Sequence, residues 1–198
     1  MIVKVCGMKN PEQVKMLDPI VDYIGFIFYY GSKRYVKTTP SSTLAKRVGV
    51  FVNANQSYIL EMIEEHQLDI IQLHGDEPAF FCQELKEKTS VIKAFGIDES
   101  FNFSKLSAYE KVVDYFLFDT NTSQYGGSGR KFNWELLNQY SLDVPFLLSG
   151  GISPDSIKSI KEINHPQFTG IDLNSGFENQ PADKNISILK PFIDAIKQ

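Results

Sequence analysis

The chain has 198 residues, of which 42% are hydrophobic and 22% charged, as expected of one ordered globular domain over residues 1–198. A net charge of −4, with Lys and Arg scattered along the chain, excludes the positive field that a nucleic-acid partner requires. The longest apolar stretch, Tyr23 to Tyr30, is much shorter than the roughly 18 residues needed to cross a bilayer, so we expect a cytoplasmic protein without a membrane span.

Eight short apolar runs recur along the chain, and each predicts a β-strand. The predicted strands are Ile2–Cys6, Tyr23–Phe28, Val48–Val52, Ile70–Leu73, Val91–Phe95, Tyr115–Phe118, Phe146–Leu148 and Gly170–Leu173. Their nearly continuous hydrophobicity is typical of parallel strands that are covered on both faces. Eight parallel strands predict an α/β fold, the (β/α)8 or TIM barrel, in a single compact domain.

Segments with helical spacing of apolar residues lie between the predicted strands. Asn55-Gln56-Ser57 and Ser153-Pro154-Asp155 have the composition of helix starts, and Ile186–Ile196 predicts a last helix. The rival architecture is a doubly wound open sheet. No GxGxxG motif follows the first strand, which favours the barrel.

Polar, ionisable and glycine-rich segments follow the predicted strands. In a (β/α)8 barrel the side chains that carry the chemistry lie at the carboxyl ends of the strands and in the loops behind them. These segments are Cys6-Gly7-Met8-Lys9, Ser32-Lys33-Arg34-Tyr35, Gln72-Leu73-His74-Gly75-Asp76, Asp119-Thr120 with Tyr125-Gly126-Gly127-Ser128-Gly129, Ser149-Gly150-Gly151 and Asp172-Leu173-Asn174-Ser175-Gly176. The sequence therefore predicts one site at this end of the barrel.

The segments after the seventh and eighth strands suggest a phosphate site. Gly150 and Gly151 would let backbone N–H groups approach an anion, and Asn174, Ser175 and Gly176 follow the adjacent strand. An isolated Gly-Gly pair more simply turns the chain. The pairing with the second segment favours phosphate binding.

The chain has two cysteines, Cys6 and Cys82, with spacing that indicates neither a disulfide framework nor a metal site. Cys82 lies in a segment with helical spacing and is predicted to be a buried small hydrophobe. Cys6 instead ends a strand and precedes a glycine. Taken alone, His74 is more often a hydrogen-bonded structural histidine than a catalyst, and Arg34 is more often a solvated surface residue.

Taken together, these segments resemble, in order, the motifs of the phosphoribosylanthranilate isomerase family. The resemblance covers essentially the whole chain. The Cys-Gly opening together with the Asp-Thr and Tyr-Gly-Gly-Ser-Gly segments is specific to that family, whereas many phosphosugar barrels share the Gly-Gly loop.

The resemblance implies an Amadori rearrangement of N-(5-phosphoribosyl)anthranilate in tryptophan biosynthesis. It implies Cys6 as base and Asp119 as acid, without a metal or an organic cofactor. It also implies that Arg34, His74 and Asp172 contact the substrate. For His74 the resemblance leaves two alternatives: it orients the substrate, or it only orders the loop that carries it.

The chain departs from the family pattern at two places. Asn174 stands where the family often has a second serine, and Ala182-Asp183-Lys184-Asn185 replaces the usual Gly-Lys-Asp before the last helix. Two alternatives remain, another phosphosugar-processing barrel such as an indole-glycerol-phosphate synthase, or a phosphosugar-binding barrel without catalysis. The sequence leaves open whether the protein is a monomer or a homodimer.

Overall fold

The computed structural model describes residues 1–40, 43–121 and 132–198. Eight parallel strands form a closed barrel in which each strand pairs with its neighbours in chain order and β8 returns to β1. The strands are β1 (Ile2–Val5), β2 (Tyr23–Ile27), β3 (Lys46–Phe51), β4 (Ile70–Leu73), β5 (Ser90–Ile97), β6 (Tyr115–Thr120), β7 (Phe146–Leu148) and β8 (Phe168–Leu173). All eight predicted strands and the barrel are confirmed.

Five α-helices lie in the described part of the chain. They are α1 (Pro11–Leu17), α2 (Gln56–His66), α3 (Ala79–Lys86), α4 (Ile157–Lys161) and α5 (Ile186–Lys197). Of the two predicted helix starts, Asn55 caps α2 with its side chain, which accepts a hydrogen bond from Tyr58 N at 2.8 Å. Ser153 precedes a short 3-10 helix, Pro154–Ser156, that leads into α4. The last helix begins at Ile186, as predicted, even though the segment before it departs from the family pattern.

The outer layer is less regular than a full set of eight helices. Residues 28–40 and 43–45, between β2 and β3, contain no helix, and short 3-10 helices at Phe103–Tyr109 and Trp134–Gln139 follow β5 and β6. The segment after β2 holds Gly31 and Pro40 and has no apolar stripe, so it lacks the pattern that stabilises a helix. None of the described helices is long and apolar enough to cross a membrane.

A short antiparallel hairpin follows β8 and was not predicted. Its strands are β9 (Glu178–Gln180) and β10 (Asp183–Lys184). Ala182 between them has a φ of 70°, a left-handed conformation that favours glycine. The hairpin brings Glu178 and Lys184 beside the carboxyl ends of β1 and β8.

The barrel interior has an apolar floor with polar side chains above it. The floor is formed by Tyr23, Val48, Ile70, Ile92, Ala94, Leu117 and Leu147. Because side chains alternate along a strand, β1 points both Lys4 and Cys6 inward. The same spacing pairs Gln72 with His74 after β4, and Asp172 with Asn174 after β8. Each of these strands thus supplies one buried polar side chain deeper in the barrel and a second one nearer to its carboxyl end.

Candidate active site

A pocket of about 740 Å³ opens at the carboxyl ends of the strands. Its lining contains every predicted site residue: Cys6, Arg34, His74, Asp119, Gly150, Gly151, Asp172, Asn174, Ser175 and Gly176. The Tyr125–Gly129 motif lies outside the described residues. One pocket therefore gathers side chains that are up to 170 residues apart in sequence.

Cys6 sits at the end of β1, where its N–H donates to Leu173 O at 2.9 Å. The chain then turns at Gly7, whose φ is 71°. Only 4% of Cys6 is exposed, and burial raises the pKa of its thiol above the usual value, while the nearby Lys4 ammonium opposes that rise. Cys82 is fully buried on α3, and burial raises its pKa to about 11.

Asp119 lies near the end of β6 with 15% of its side chain exposed. One carboxyl oxygen accepts a hydrogen bond from Thr120 N at 2.7 Å. Burial raises the pKa of Asp119 to about 6, well above the range of an exposed carboxyl group. With this pKa, a minor fraction of Asp119, about one-tenth, carries a proton at pH 7, far more than for an exposed carboxyl group.

Gly150 makes room for this carboxyl group. A methyl carbon on Gly150 would lie 2.8 Å from Asp119 Oδ1 and closer still to Thr120, and the φ of Gly150 is 78°. Glycine is therefore required at this position for two reasons, its backbone conformation and the close approach of β6. The loop predicted to bind phosphate also shapes the surroundings of Asp119.

His74 is held as a neutral ring. The amide Nε2 of Gln72 lies 2.8 Å from His74 Nδ1, and His74 Nε2 lies 3.6 Å from Asp119 Oδ2. Burial, aided by the positive charge of Lys93, lowers the pKa of His74 to about 4. If Nδ1 accepts from Gln72, the ring proton sits on Nε2 and faces Asp119.

Arg34 is fixed by the hairpin rather than left free. Its Nε donates to both oxygens of Glu178 at 3.0 Å and its Nη2 donates to Glu178 Oε2 at 2.6 Å. Lys184 Nζ donates to the same carboxylate at 2.8 Å and to Asn174 Oδ1 at 2.7 Å. One edge of the guanidinium and the side-chain oxygen of Asn174 are thus already occupied by the protein. The pKa of Glu178 is lowered because, against the effect of burial, its two cationic partners favour the carboxylate.

Asp172, a predicted substrate contact, is paired with Lys4. Asp172 Oδ1 accepts a hydrogen bond from Lys4 Nζ at 3.0 Å, and the two side chains are 5% and 0% exposed. Burial raises the pKa of Asp172, while Lys4 opposes the rise.

Four residues of this site received no role from the sequence: Lys4, Gln72, Glu178 and Lys184. A signal existed for Lys4, because a charged residue in an otherwise apolar strand, two positions before Cys6, faces the same side as Cys6. The same spacing links Gln72 to His74. Glu178 and Lys184 become neighbours only through the unpredicted hairpin.

The described residues contain no group of three or more His, Cys, Asp or Glu side chains placed to hold a metal ion. A closed parallel barrel with ionisable side chains gathered at its carboxyl end defines a (β/α)8-barrel enzyme. Residues 3–195 match the family model described as N-(5'phosphoribosyl)anthranilate (PRA) isomerase. The chain belongs to the PRA isomerase family and is an isomerase of tryptophan biosynthesis.

Individual relatives agree with this assignment. The chain is 46% identical to the N-(5'-phosphoribosyl)anthranilate isomerase of Parabacteroides distasonis, over 99% of this chain and 93% of the relative. The crystal structure of phosphoribosyl anthranilate isomerase from Thermotoga maritima superposes with a TM-score of 0.85 at 33% identity, covering 100% of this chain and 99% of that one. A further isomerase structure, solved with reduced 1-(o-carboxyphenylamino)-1-deoxyribulose 5-phosphate, has a TM-score of 0.81 at 31% identity, with the same coverage.

Proposed function

We propose that this chain converts N-(5-phosphoribosyl)anthranilate to 1-(2-carboxyphenylamino)-1-deoxyribulose 5-phosphate, with Asp119 as general acid and Cys6 as general base. The observation that carries the proposal is that a carboxyl group with a pKa of about 6 shares one pocket with a thiol close to a buried ammonium. An aldose-to-ketose rearrangement needs one proton donor and one proton acceptor, and no other chemistry.

The reaction begins with two proton transfers by the enzyme and ends with a tautomerisation. Asp119 donates its proton to the ring oxygen of the sugar as the C1–O bond breaks and the nitrogen lone pair forms a C1–N iminium. The Cys6 thiolate then removes the proton on C2, and the electrons of that bond neutralise the iminium to give an enolamine. Tautomerisation of the enolamine moves the proton of the C2 hydroxyl to C1 and leaves the ketone at C2, so the product is an isomer of the substrate. Return of the proton from Cys6 to Asp119 restores both groups for the next turnover.

The two ends of the substrate fit different sides of the pocket. The phosphate is assigned to Gly150 and Gly151, whose φ values of 78° and 66° bend the chain at the mouth, together with Asn174, Ser175 and Gly176. The anthranilate carboxylate is assigned to Arg34. Because Glu178 binds Nε and Nη2 of the guanidinium, Nη1 is assigned to the substrate carboxylate.

The remaining contacts follow from the lining of the pocket. Ile27, Val50 and Val52 form an apolar wall suited to the aromatic ring. His74 is assigned to orienting Asp119 through its Nε2 proton, and Asp172 contacts the sugar with the oxygen that Lys4 does not hold. Since phosphate and carboxylate groups keep such metabolites from crossing membranes, we place the reaction in the cytoplasm. The protein is proposed to act as a monomer or a homodimer.

An isomerase assay tests the proposal directly. Purified protein is added to enzymatically generated phosphoribosylanthranilate, and the fall in substrate fluorescence is followed beside a Cys6→Ala control. We expect conversion by the wild type and almost none by the variant. Binding of substrate without conversion would favour the non-catalytic barrel instead, and release of indole-glycerol phosphate from the deoxyribulose compound would favour the synthase.

Binding of inorganic phosphate should raise the melting temperature, since a ligand that binds only the folded state stabilises it by RT ln(1 + [L]/Kd), about 2.7 kcal/mol at a hundredfold excess over Kd. Gly151→Val should abolish this increment. Gln67→Val is the matched control. The backbone of Gln67 is also in a left-handed conformation, with a φ of 48°, but Gln67 is the C-cap of α2 and does not line the pocket. Gln67→Val should lower the melting temperature measured without phosphate, but phosphate should still raise the melting temperature as it does in the wild type. An increment that survives in Gly151→Val would contradict the assigned phosphate site.

A further inference from the structure

A buried ion pair joins Asp172, which lines the pocket, to Lys4, which lies outside the lining and has no role in the reaction described above. Lys4 is 0% exposed and Asp172 5% exposed, and their side chains are joined by a 3.0 Å ion pair between β1 and β8. The strand register places them side by side, since Lys4 is the partner of Asp172 in the β1–β8 ladder. Removing two charges from water costs several kcal/mol per ion, so a barrel built only for stability would not keep them there.

The ammonium of Lys4 also lies beside the sulfur of Cys6. Both residues point inward from β1, two positions apart. A methyl carbon placed on Gly25 of the neighbouring β2 would lie 2.8 Å from Cys6 Sγ and 3.2 Å from Lys4 Nζ, so the two atoms border the same small space. Glycine at this position lets the ammonium face the thiol without an intervening side chain.

We propose that Lys4 is the positioning residue that ionises the base: its ammonium, held below the pocket by Asp172, stabilises the thiolate of Cys6. The inference rests on the proposed function only in taking Cys6 as the base. Lys4 acts through Cys6 and does not reach the substrate itself. Asp172 limits the effect, because its negative charge disfavours a second anion nearby.

The charged groups around Cys6 support a stabilising effect of Lys4 on the thiolate and an opposing effect of Asp172. The groups that face it are Lys4 on β1, Asp172 on β8 and Lys184 on the hairpin, with Arg34, His74 and Asp119 around the pocket mouth. Burial raises the pKa of Cys6, and Lys4 is the largest opposing influence, ahead of Lys184. Burial alone would lower the pKa of Lys4, but Asp172 and Cys6 raise it above its usual value, so Lys4 keeps its charge throughout the working range.

A thiolate titration without substrate tests the inference. The ultraviolet absorbance of the thiolate is followed as pH rises, and the signal of Cys6 is obtained by subtracting the titration of Cys6→Ala. An opposite charge at this range shifts a pKa by about 1–3 units, so Lys4→Gln and Lys4→Met should hold about 10- to 1,000-fold less Cys6 thiolate at a fixed pH. Asp172→Asn should shift the titration in the opposite direction, to lower pH.

Lys93→Met is the matched control. Lys93 is a second buried ammonium, 2% exposed and paired with Glu77 at 3.2 Å, but it does not line the pocket. Lys93→Met should leave the pH at which Cys6 ionises unchanged. Melting curves identify variants that have lost their fold, and the opposite shift in Asp172→Asn decides the matter if both Lys4 variants unfold.

Two results would overturn the role of Lys4. One is an unchanged Cys6 titration in a folded Lys4→Gln protein. The other is a shift in the same direction for the Lys4 and Asp172 variants, which would indicate a general loosening of the barrel. Failure of the proposed function looks different, because Cys6→Ala would then keep its isomerase activity whatever the titration shows.

Discussion

Replacing Asp119 by asparagine should lower kcat by roughly 100- to 10,000-fold, the usual cost of losing a positioned general acid. The amide keeps the shape of the carboxyl group and can still face Thr120 and His74, so the fold and the affinity for a product analogue should change little. Only the proton is lost. Steady-state kinetics together with binding of reduced product analogue separates the two effects, because an interaction made only in the transition state alters kcat without altering ground-state binding.

Asp114→Asn is the control for this substitution. Asp114 directly precedes β6, the strand that carries Asp119, but lies at the opposite end of the barrel, where its carboxylate accepts from Ser90 Oγ at 3.0 Å and Val91 N at 2.8 Å. It should change the melting temperature and not kcat, since the amino-terminal end of a barrel serves stability. Near-normal kcat in Asp119→Asn, or loss of activity explained by a fallen melting curve, would move the acid elsewhere, with Asp172 the next candidate.

Replacing Cys6 by alanine should lower kcat by a similar factor, roughly 100- to 10,000-fold, because no other described group lies at the same position to accept the C2 proton. Cys82→Ala is the matched variant. Its thiol is fully buried on α3 with a pKa raised to about 11, so it should cost stability and leave kcat unchanged. Mild alkylation with iodoacetamide should follow the same order, and labelling of Cys82 with activity lost while Cys6 stays free would contradict the assignment.

The same two groups predict the pH dependence of kcat/KM. With Asp119 as acid and Cys6 as base, as proposed, the active form carries a proton on Asp119 and none on Cys6. Below about pH 6 both groups are protonated and the base is missing, so activity should fall as pH decreases through the pKa of Asp119, about 6. Above the raised pKa of Cys6 both have lost their protons and the acid is missing, so activity should fall again.

Between these limits the pair holds one proton, and a constant minor fraction of molecules carries it on Asp119. The profile should therefore show a plateau between its two limbs. In Asp119→Asn, the pH profile of the residual kcat/KM should no longer show the fall in activity near pH 6. If that limb remains at the same pH, another group is responsible for it.

The strands were predictable from the sequence because their signal is local. Runs such as Phe116-Leu117-Phe118 are buried on both faces, and burial on both faces leaves an uninterrupted apolar pattern. The site residues were also accessible, since the barrel brings the carboxyl ends of all strands to one rim. The segment after β2 shows the limit of this reasoning, because alternation of strands and helices predicts a helix there that the composition does not support.

The partners of the site residues were not predictable, because they depend on contacts between distant parts of the chain. The guanidinium of Arg34 fits a carboxylate, but nothing near residue 34 reveals that Glu178 holds one edge of it, 144 positions away. Asn174 was assigned to the phosphate site, and the structure shows that its side-chain oxygen accepts a hydrogen bond from Lys184 Nζ at 2.7 Å. Residue type indicated the chemistry in both cases, while tertiary structure determined which atoms remain for a ligand.

The buried pair of Lys4 and Asp172 has a consequence for attempts to make this enzyme more heat-resistant. A buried ion pair replaced by apolar side chains of similar volume often leaves a protein equally stable or more stable, by about 1–4 kcal/mol. Selection for thermal stability alone would therefore tend to replace the buried charged residues of the barrel by apolar residues such as leucine and methionine. The surviving variants would resist heat but would have little isomerase activity. A screen that alternates heat challenge with growth in the absence of tryptophan would keep the pair, because only the second condition penalises its loss.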